Sequence, residues 1–288
     1  MGIKIILLII FFAVMAAVGI YSRRHVTSVD GFVLGGRSVG PWLTAFAYGT
    51  SYFSAVVFVG YAGQFGWKYG IASTWIGIGN ALIGSLLAWV VLGRRTKVMT
   101  QHLGSRTMPD FFGERYKSKS LKITASVIVF VFLIPYTASV YNGLSRLFAM
   151  AFNIPYTWCV VTMAAFTALY VILGGYMATA INDFIQGIIM LIGIVAVIAA
   201  VLNGQGGFMN AIAEMAKIPS DVPLTQGQPG AFTSFFGPDP VNLLGVVLLT
   251  SLGTWGLPQM IGKFYAIKDE KSISTGTIIS TIFAIIIS

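Results

Sequence analysis

Residues 49–54 read Gly49-Thr50-Ser51-Tyr52-Phe53-Ser54, and they interrupt an otherwise apolar run, 41–66, that continues through Gly60 and Gly63. A second interruption, Ser251-Leu252-Gly253-Thr254-Trp255-Gly256-Leu257-Pro258, falls inside the apolar run 241–262. Proline lacks the N–H that continues a helix, and glycine tolerates the backbone angles at which a helix unwinds. Backbone groups freed at mid-bilayer depth must face protein or a water-filled cavity, because lipid offers no partner. Carbonyls freed there are hard oxygen ligands suited to a small cation, and Ser or Thr hydroxyls add to the set. Small residues in one membrane helix often serve close packing alone. Two interrupted spans in corresponding positions instead mark the binding site of an inverted-repeat carrier. Counting 41–66 as the first span of a five-helix repeat makes 241–262 the first span of the next. Five is odd, so the second repeat enters the membrane inverted.

The rest of the composition agrees with a bilayer as solvent. The 288 residues are 56% apolar and 9% charged, against roughly 45–50% and about 25% in soluble domains, and the mean hydropathy is +0.83. A soluble globule of this size leaves too much surface in water to hide that apolar content. Thirty-three Gly and 21 Phe spread along the chain also exclude a disordered, aromatic-poor sequence. Net charge is +9, but the cations lie between apolar runs and not on one clustered basic face, which argues against nucleic acid as a partner.

Eight apolar runs emerge, at 4–21, 41–66, 72–93, 122–148, 156–173, 184–203, 241–262 and from 275 onward. Most exceed the roughly 18 residues that separate a spanning helix from a buried core helix. The first is read as an uncleaved helix and not a signal peptide, since Arg23 and Arg24 follow it directly. The last offers only 14 residues before Ser288, about 21 Å of helix against a hydrocarbon core of about 30 Å. On this reading the chain stops inside a membrane helix and is a C-terminally truncated piece of a larger protein.

Lys and Arg divide unequally between alternate loops. Arg23, Arg24, Arg37, Arg94, Arg95, Lys97, Arg106, Arg115, Lys117, Lys119, Lys122, Lys263, Lys268 and Lys271 share one side, 14 in all. Lys4, Lys68 and Lys217 make 3 on the other. Positive loops stay in the cytoplasm, so segments 22–40, 94–121 and 263–274 are expected inside and the N-terminus outside. Arg146, near the end of a span, snorkels to the outer interface.

Asp183 stands out among the few acids near the spans, in Gly174-Gly175 through Asn182-Asp183-Phe184-Ile185-Gln186 at the expected start of the sixth run. One reading is a helix-start contact. The other is an acid lining the inner mouth of a cation path. Cys159 is the single cysteine, so neither an intramolecular disulfide nor a cysteine metal cluster is expected. His25 and His102 lie beside basic loop segments and are read as solvated.

Leu34-Gly35-Gly36-Arg37-Ser38, Met108-Pro109-Asp110-Phe111-Phe112-Gly113-Glu114-Arg115-Tyr116, the 174–186 stretch and Trp255-Gly256-Leu257-Pro258-Gln259 run through the chain in order. Together they resemble the sodium/solute symporter family, which includes sodium/proline and sodium/pantothenate carriers and sodium/glucose cotransporters. The resemblance implies an all-α membrane protein with a LeuT-like bundle of inverted five-helix repeats. Residues 1–38 would hold an extra N-terminal helix and a cytoplasmic loop, 39–203 the first repeat and 241–288 the start of the second. It implies a coupling sodium ion at the backbone carbonyls of Thr50 and Phe53, with Asp183 on the sodium exit path and the remaining ligands on an eighth core helix beyond this chain. It also implies solute contacts at Ser51, Ser54, Tyr136, Thr254, Trp255 and Pro258. Tyr52 stands where proline carriers usually have Asp and is more similar to the pantothenate pattern, while Gly175-Tyr176-Met177-Ala178 is similar to the proline type.

The function expected is therefore sodium-coupled symport of a small organic solute, an amino acid or carboxylate such as proline or pantothenate, by a multi-pass protein of the bacterial plasma membrane. The alternative is a membrane sensor or ion channel built on a transporter-like bundle, although neither a filter motif nor a charged ring is present in the sequence. An intramembrane enzyme would need a nucleophile with a base, or a metal cluster, in spans that offer one Cys, no His and little acid.

Overall fold

The computed structural model describes residues 2–54 and 61–288. Among them the architecture is helical: α1 (Gly2–Ser22), α2 (Val29–Leu34), α3 (Pro41–Tyr52), α4 (Gly63–Tyr69), α5 (Thr74–Gly79), α6 (Arg94–His102), α7 (Met108–Tyr116), α8 (Lys119–Phe152), α9 (Tyr156–Gly204), α10 (Phe208–Ala216), α11 (Pro240–Leu252), α12 (Pro258–Ala266) and α13 (Glu270–Ile287). Helix starts follow local chemistry. Pro41, Pro240 and Pro258 occupy first-turn positions, where the missing N–H costs nothing. Thr107, Ser118, Asp239 and Asp269 cap α7, α8, α11 and α13 by accepting a backbone N–H three residues on.

Among the described residues, five helical stretches are long and apolar enough to cross a membrane: Ile5–Ser22, Gly63–His102, Lys119–Phe152, Tyr156–Gly204 and Glu270–Ile287, with the bent pair α11 and α12 a sixth. The expected runs map onto these with one change of bounds. Runs 156–173 and 184–203 lie on two helical arms, numbered together as α9, that meet at the non-helical Gly175 (φ 55°, ψ −147°). At about 1.5 Å per residue, 49 residues would reach about 73 Å, far beyond one bilayer, so the glycine break separates two membrane-length arms. The final helix begins at Glu270, not near 275, because Asp269 accepts the Ser272 N–H at 2.8 Å and starts it a turn earlier. The run 41–66 contains α3 and the start of α4, but its middle, with Gly60, lies outside the described residues.

Two of the cations counted in basic loops are helical and buried. Lys97 lies on α6, which continues the span from Gly63, and Lys263 lies on α12. The three basic segments themselves do meet at one end of the bundle. Val39 N–H donates to Ala266 O at 3.2 Å and Lys268 N–H to Val39 O at 2.9 Å. Arg106 pairs with Asp30 at 2.5 Å and Arg94 with Glu270 at 2.5 Å.

The core centres on α3, where Phe46 packs on Phe283, Tyr48 on Trp89 and Phe264, and Tyr52 on Tyr48. Here α3 lies against α9, α12 and α13. By contrast, α8 and α9 turn Phe130, Phe132, Ile172, Ile192 and many other apolar side chains outward. Helices apolar on their outer faces need an apolar surrounding, which is the arrangement of a multi-pass membrane protein.

Candidate functional site at the two helix breaks

The first break follows α3. Phe53 leaves helical geometry (φ −90°, ψ 60°) although its N–H still reaches Gly49 O at 2.8 Å. Thr50 turns its hydroxyl back on its own helix, donating to Phe46 O at 2.9 Å. The second break follows α11. Gly253–Gly256 tighten into a 3-10 turn, and Leu257 is extended (φ −71°, ψ 128°). Steric conflict with the Pro258 ring keeps the preceding residue out of the helical region. The axis turns by 51° between α11 and α12.

A polar bridge ties the two breaks together. The Tyr52 hydroxyl, at the last residue of α3, donates to Thr250 O at 2.9 Å and also lies 3.1 Å from Asn80 Oδ1. Ser251 Oγ donates to the same Asn80 oxygen at 3.2 Å. Asn80 opens a stretch of π-helix, Asn80–Leu87; such wide turns are rare and concentrate at functional sites. From that stretch, Ile83 O accepts the Trp255 indole N–H at 3.1 Å, and Gly84 O accepts the Tyr48 hydroxyl at 2.9 Å.

Two cavities adjoin the breaks. One, of about 470 Å³, is lined by Tyr52, Phe53, Asn80, Thr250 and Thr254 together with apolar and aromatic side chains. The other, of about 510 Å³, is lined by Phe132, Tyr136, Gly256, Leu257 and Pro258 and is almost wholly apolar. Pro135 precedes Tyr136 inside α8 and leaves the Val131 carbonyl without its helical N–H donor.

An ion pair lies between α9 and α12. Lys263 Nζ donates to Asp183 Oδ2 at 3.3 Å and stands 5.4 Å from the centre of the Tyr176 ring. Their side chains are 9% and 23% exposed, which places the pair inside the bundle. Around it, the Tyr176 hydroxyl and the amide groups of Asn182 and Gln259 are buried without a partner.

These features meet a direct comparison with known proteins. The sequence profile of the sodium:solute symporter family matches residues 32–288. The chain belongs to the sodium:solute symporter family. Sodium/proline symporters of Staphylococcus aureus strains JH9, JH1 and Mu3 are each 33% identical to it over 276 residues, covering 93% of this chain and 51% of the relative. The chain thus spans about half the length of the curated relatives it matches, and those relatives are carriers, not enzymes.

In this chain the expected site residues fall into separate places. Phe53 and Thr254 share the cavity beside the polar bridge, while Tyr136 and Pro258 share the apolar one. Trp255 is held by Ile83 O and packs on the core. Ser51 and Ser54 are half-buried and line neither cavity. Thr50 sits against α9 one turn from Asp183, since a Cβ at Gly187 would lie 3.2 Å from Thr50 Cγ2. Asp183 is two turns beyond Gly175, inside a helix, which removes its helix-start reading.

Sequence reasoning missed Lys263, Asn80 and Ser251. Lys263 was assigned to a loop because it follows an apolar run, yet it falls within the nine-residue helix that Pro258 starts. A lone Asn inside the apolar run 72–93 was the available signal for Asn80, since polar side chains within membrane helices bridge to neighbours.

Proposed function

We propose that this protein is a sodium-coupled carrier that moves a small organic solute across the plasma membrane. The observation that carries the reading is the Tyr52–Thr250 bridge. In a chain of the sodium:solute symporter family, it brings two broken helices, 198 residues apart at the bridge, to one polar spot. Paired helix breaks expose carbonyls and helix ends where an ion and a solute can both be held.

The proposed architecture is LeuT-like, with inverted five-helix repeats. Residues 1–38 precede the bundle, 39–203 form the first repeat when the two arms of α9 count as two helices, and 241–288 begin the second. The N-terminus is proposed to lie outside, a reading the positive loops support. The proposed sodium ligands are the carbonyls of Thr50 and Phe53, with Asp183 on the ion's route to the cytoplasm. Ser51, Ser54, Tyr136, Thr254, Trp255 and Pro258 are proposed to contact the solute as alternating access closes the two cavities. The relatives' names favour proline over pantothenate as the solute, while Tyr52 matches the pantothenate pattern. A sodium gradient adds to the membrane potential, which supplies about 2.3 kcal/mol per charge per 100 mV.

Uptake of labelled proline and pantothenate by the full-length protein in proteoliposomes tests this reading. Accumulation is expected only under an inward sodium gradient and is expected to fall in Asp183→Ala. Equal uptake with choline replacing sodium overturns the coupling.

A further inference from the structure

Three hydrogen-bond donors near the meeting point of the basic segments have no acceptor among the described residues. Lys97 on α6 is 1% exposed, and its ammonium makes no hydrogen bond. Ser105 is equally buried, with its hydroxyl unpaired. The Arg37 guanidinium donates from Nη2 to Ser105 O at 2.6 Å and leaves Nη1 buried without a partner. Arg37 holds φ 55°, a left-handed conformation that side chains other than glycine rarely adopt.

The three groups are tied together. Ser105 N–H donates to Thr100 O at 3.1 Å, and the Thr100 hydroxyl contacts Lys97 O one helical turn back at 3.2 Å. Two carboxylates lie nearby, and both are engaged elsewhere. Asp30 is paired with Arg106 at 2.5 Å. Asp269 accepts the Ser272 N–H at 2.8 Å as the cap of α13. A buried ammonium and a buried guanidinium nitrogen without acceptors are strongly unfavourable unless a negative group joins them.

We propose that Arg37, Lys97 and Ser105 form a binding site for a small inorganic anion of the size and charge of chloride. The unpaired groups are two cationic nitrogens and a hydroxyl, which selects for an anion, and two of the three residues are closed to the surface, which selects for a small one. Arg37 belongs to segment 22–40, and Lys97 and Ser105 belong to segment 94–121. A bound anion therefore fastens these two segments beside the Val39–Ile267 bridge. The site uses none of the residues assigned to sodium or solute.

The test uses the full-length protein in detergent, unfolded thermally in sodium-free choline chloride and in choline gluconate at equal ionic strength. Chloride is expected to raise the unfolding midpoint by about 2–4 °C. Lys97→Met is expected to abolish that difference while keeping its gluconate midpoint at or above that of the wild type, because no unpaired charge is left buried. Labelled chloride is expected to show one saturable site that is lost in Lys97→Met and weakened in Ser105→Ala, which keeps both cations. Equal midpoints in the two salts, or a chloride effect undiminished in Lys97→Met, overturn the proposal. So does stabilisation by phosphate or by phosphatidylglycerol without any by chloride. Should Lys97→Met fail to fold, chloride binding undiminished in Ser105→Ala overturns it equally.

Discussion

Lys263 Nζ lies 3.3 Å from Asp183 Oδ2 and joins α12, just past the second helix break, to the second arm of α9. The carboxylate proposed for the ion's exit route is therefore already matched by a cation of the protein. An arriving sodium ion would share or displace that partner, so the route and the packing of α12 on α9 are coupled by one charge. Asn182, Gln259 and the Tyr176 hydroxyl, all buried and unpaired nearby, supply polar groups for a hydrated ion.

Removing one member of this pair strands the other charge inside the bundle. Asp183→Asn and Lys263→Met are each expected to destabilise the full-length protein by about 1–3 kcal/mol. The double variant is expected to cost less than the two together by about 1–2 kcal/mol. A double-mutant cycle of denaturant midpoints in detergent measures this; strictly additive effects would show the pair to be uncoupled.

Tyr52→Phe removes only the hydroxyl that reaches Thr250 O and Asn80. The expected cost is about 0.5–1.5 kcal/mol of stability. Under the proposed function, the KM for the solute rises several-fold while the aromatic packing of α3 persists. Thermal midpoints and initial uptake rates check both parts.

Gly84 is held small by the same tyrosine, since a Cβ there would lie 2.0 Å from Tyr52 Oη and 2.6 Å from Cζ. Gly84→Ala is expected to destabilise by about 1–3 kcal/mol through overpacking. Adding Tyr52→Phe removes the nearest clash, so the double variant is expected to be more stable than additivity allows. Unfolding midpoints of the three variants decide it.

The Asp110 carboxyl sits outside the membrane spans, on α7. Burial pushes its pKa up, but hydrogen bonds from Lys122 and Thr107 and the Lys122 charge hold it below its ordinary value. The Lys122–Asp110 pair measures 2.7 Å. A folded-state pKa below the unfolded one gives stability that is present above the unfolded carboxylate pKa and lost as pH falls through the folded one. The gap in midpoint between wild type and Asp110→Asn is therefore expected to be steady near neutral pH and to shrink in acid. The pair is partly exposed, so the gap corresponds to at most about 1 kcal/mol.

Much of this protein was legible without coordinates. Apolar runs announced most of the long helices because the bilayer imposes its thickness on sequence directly, at about 20 residues per crossing. Both helix breaks were announced by glycine, serine and proline for equally local reasons. The break at Gly175 was legible too, as the Gly174-Gly175 pair at the end of run 156–173, but not that a helix resumes directly after it, well before residue 184. The polar bridge was hidden because Tyr52, Asn80 and Thr250 are scattered through the sequence, and no local pattern says which polar side chain meets which carbonyl.

By itself, the sequence determined a membrane-embedded helical chain, its interrupted spans and its family, since each depends on composition and spacing along one dimension. Only the tertiary structure decided the partners: that Lys263 leaves the loop count to face Asp183, that Tyr52 joins the two breaks, and that Lys97 Nζ and Arg37 Nη1 are buried without an acceptor among the described residues. Charges and hydroxyls act over a few ångströms, and that proximity is set by how helices far apart in the chain pack against one another.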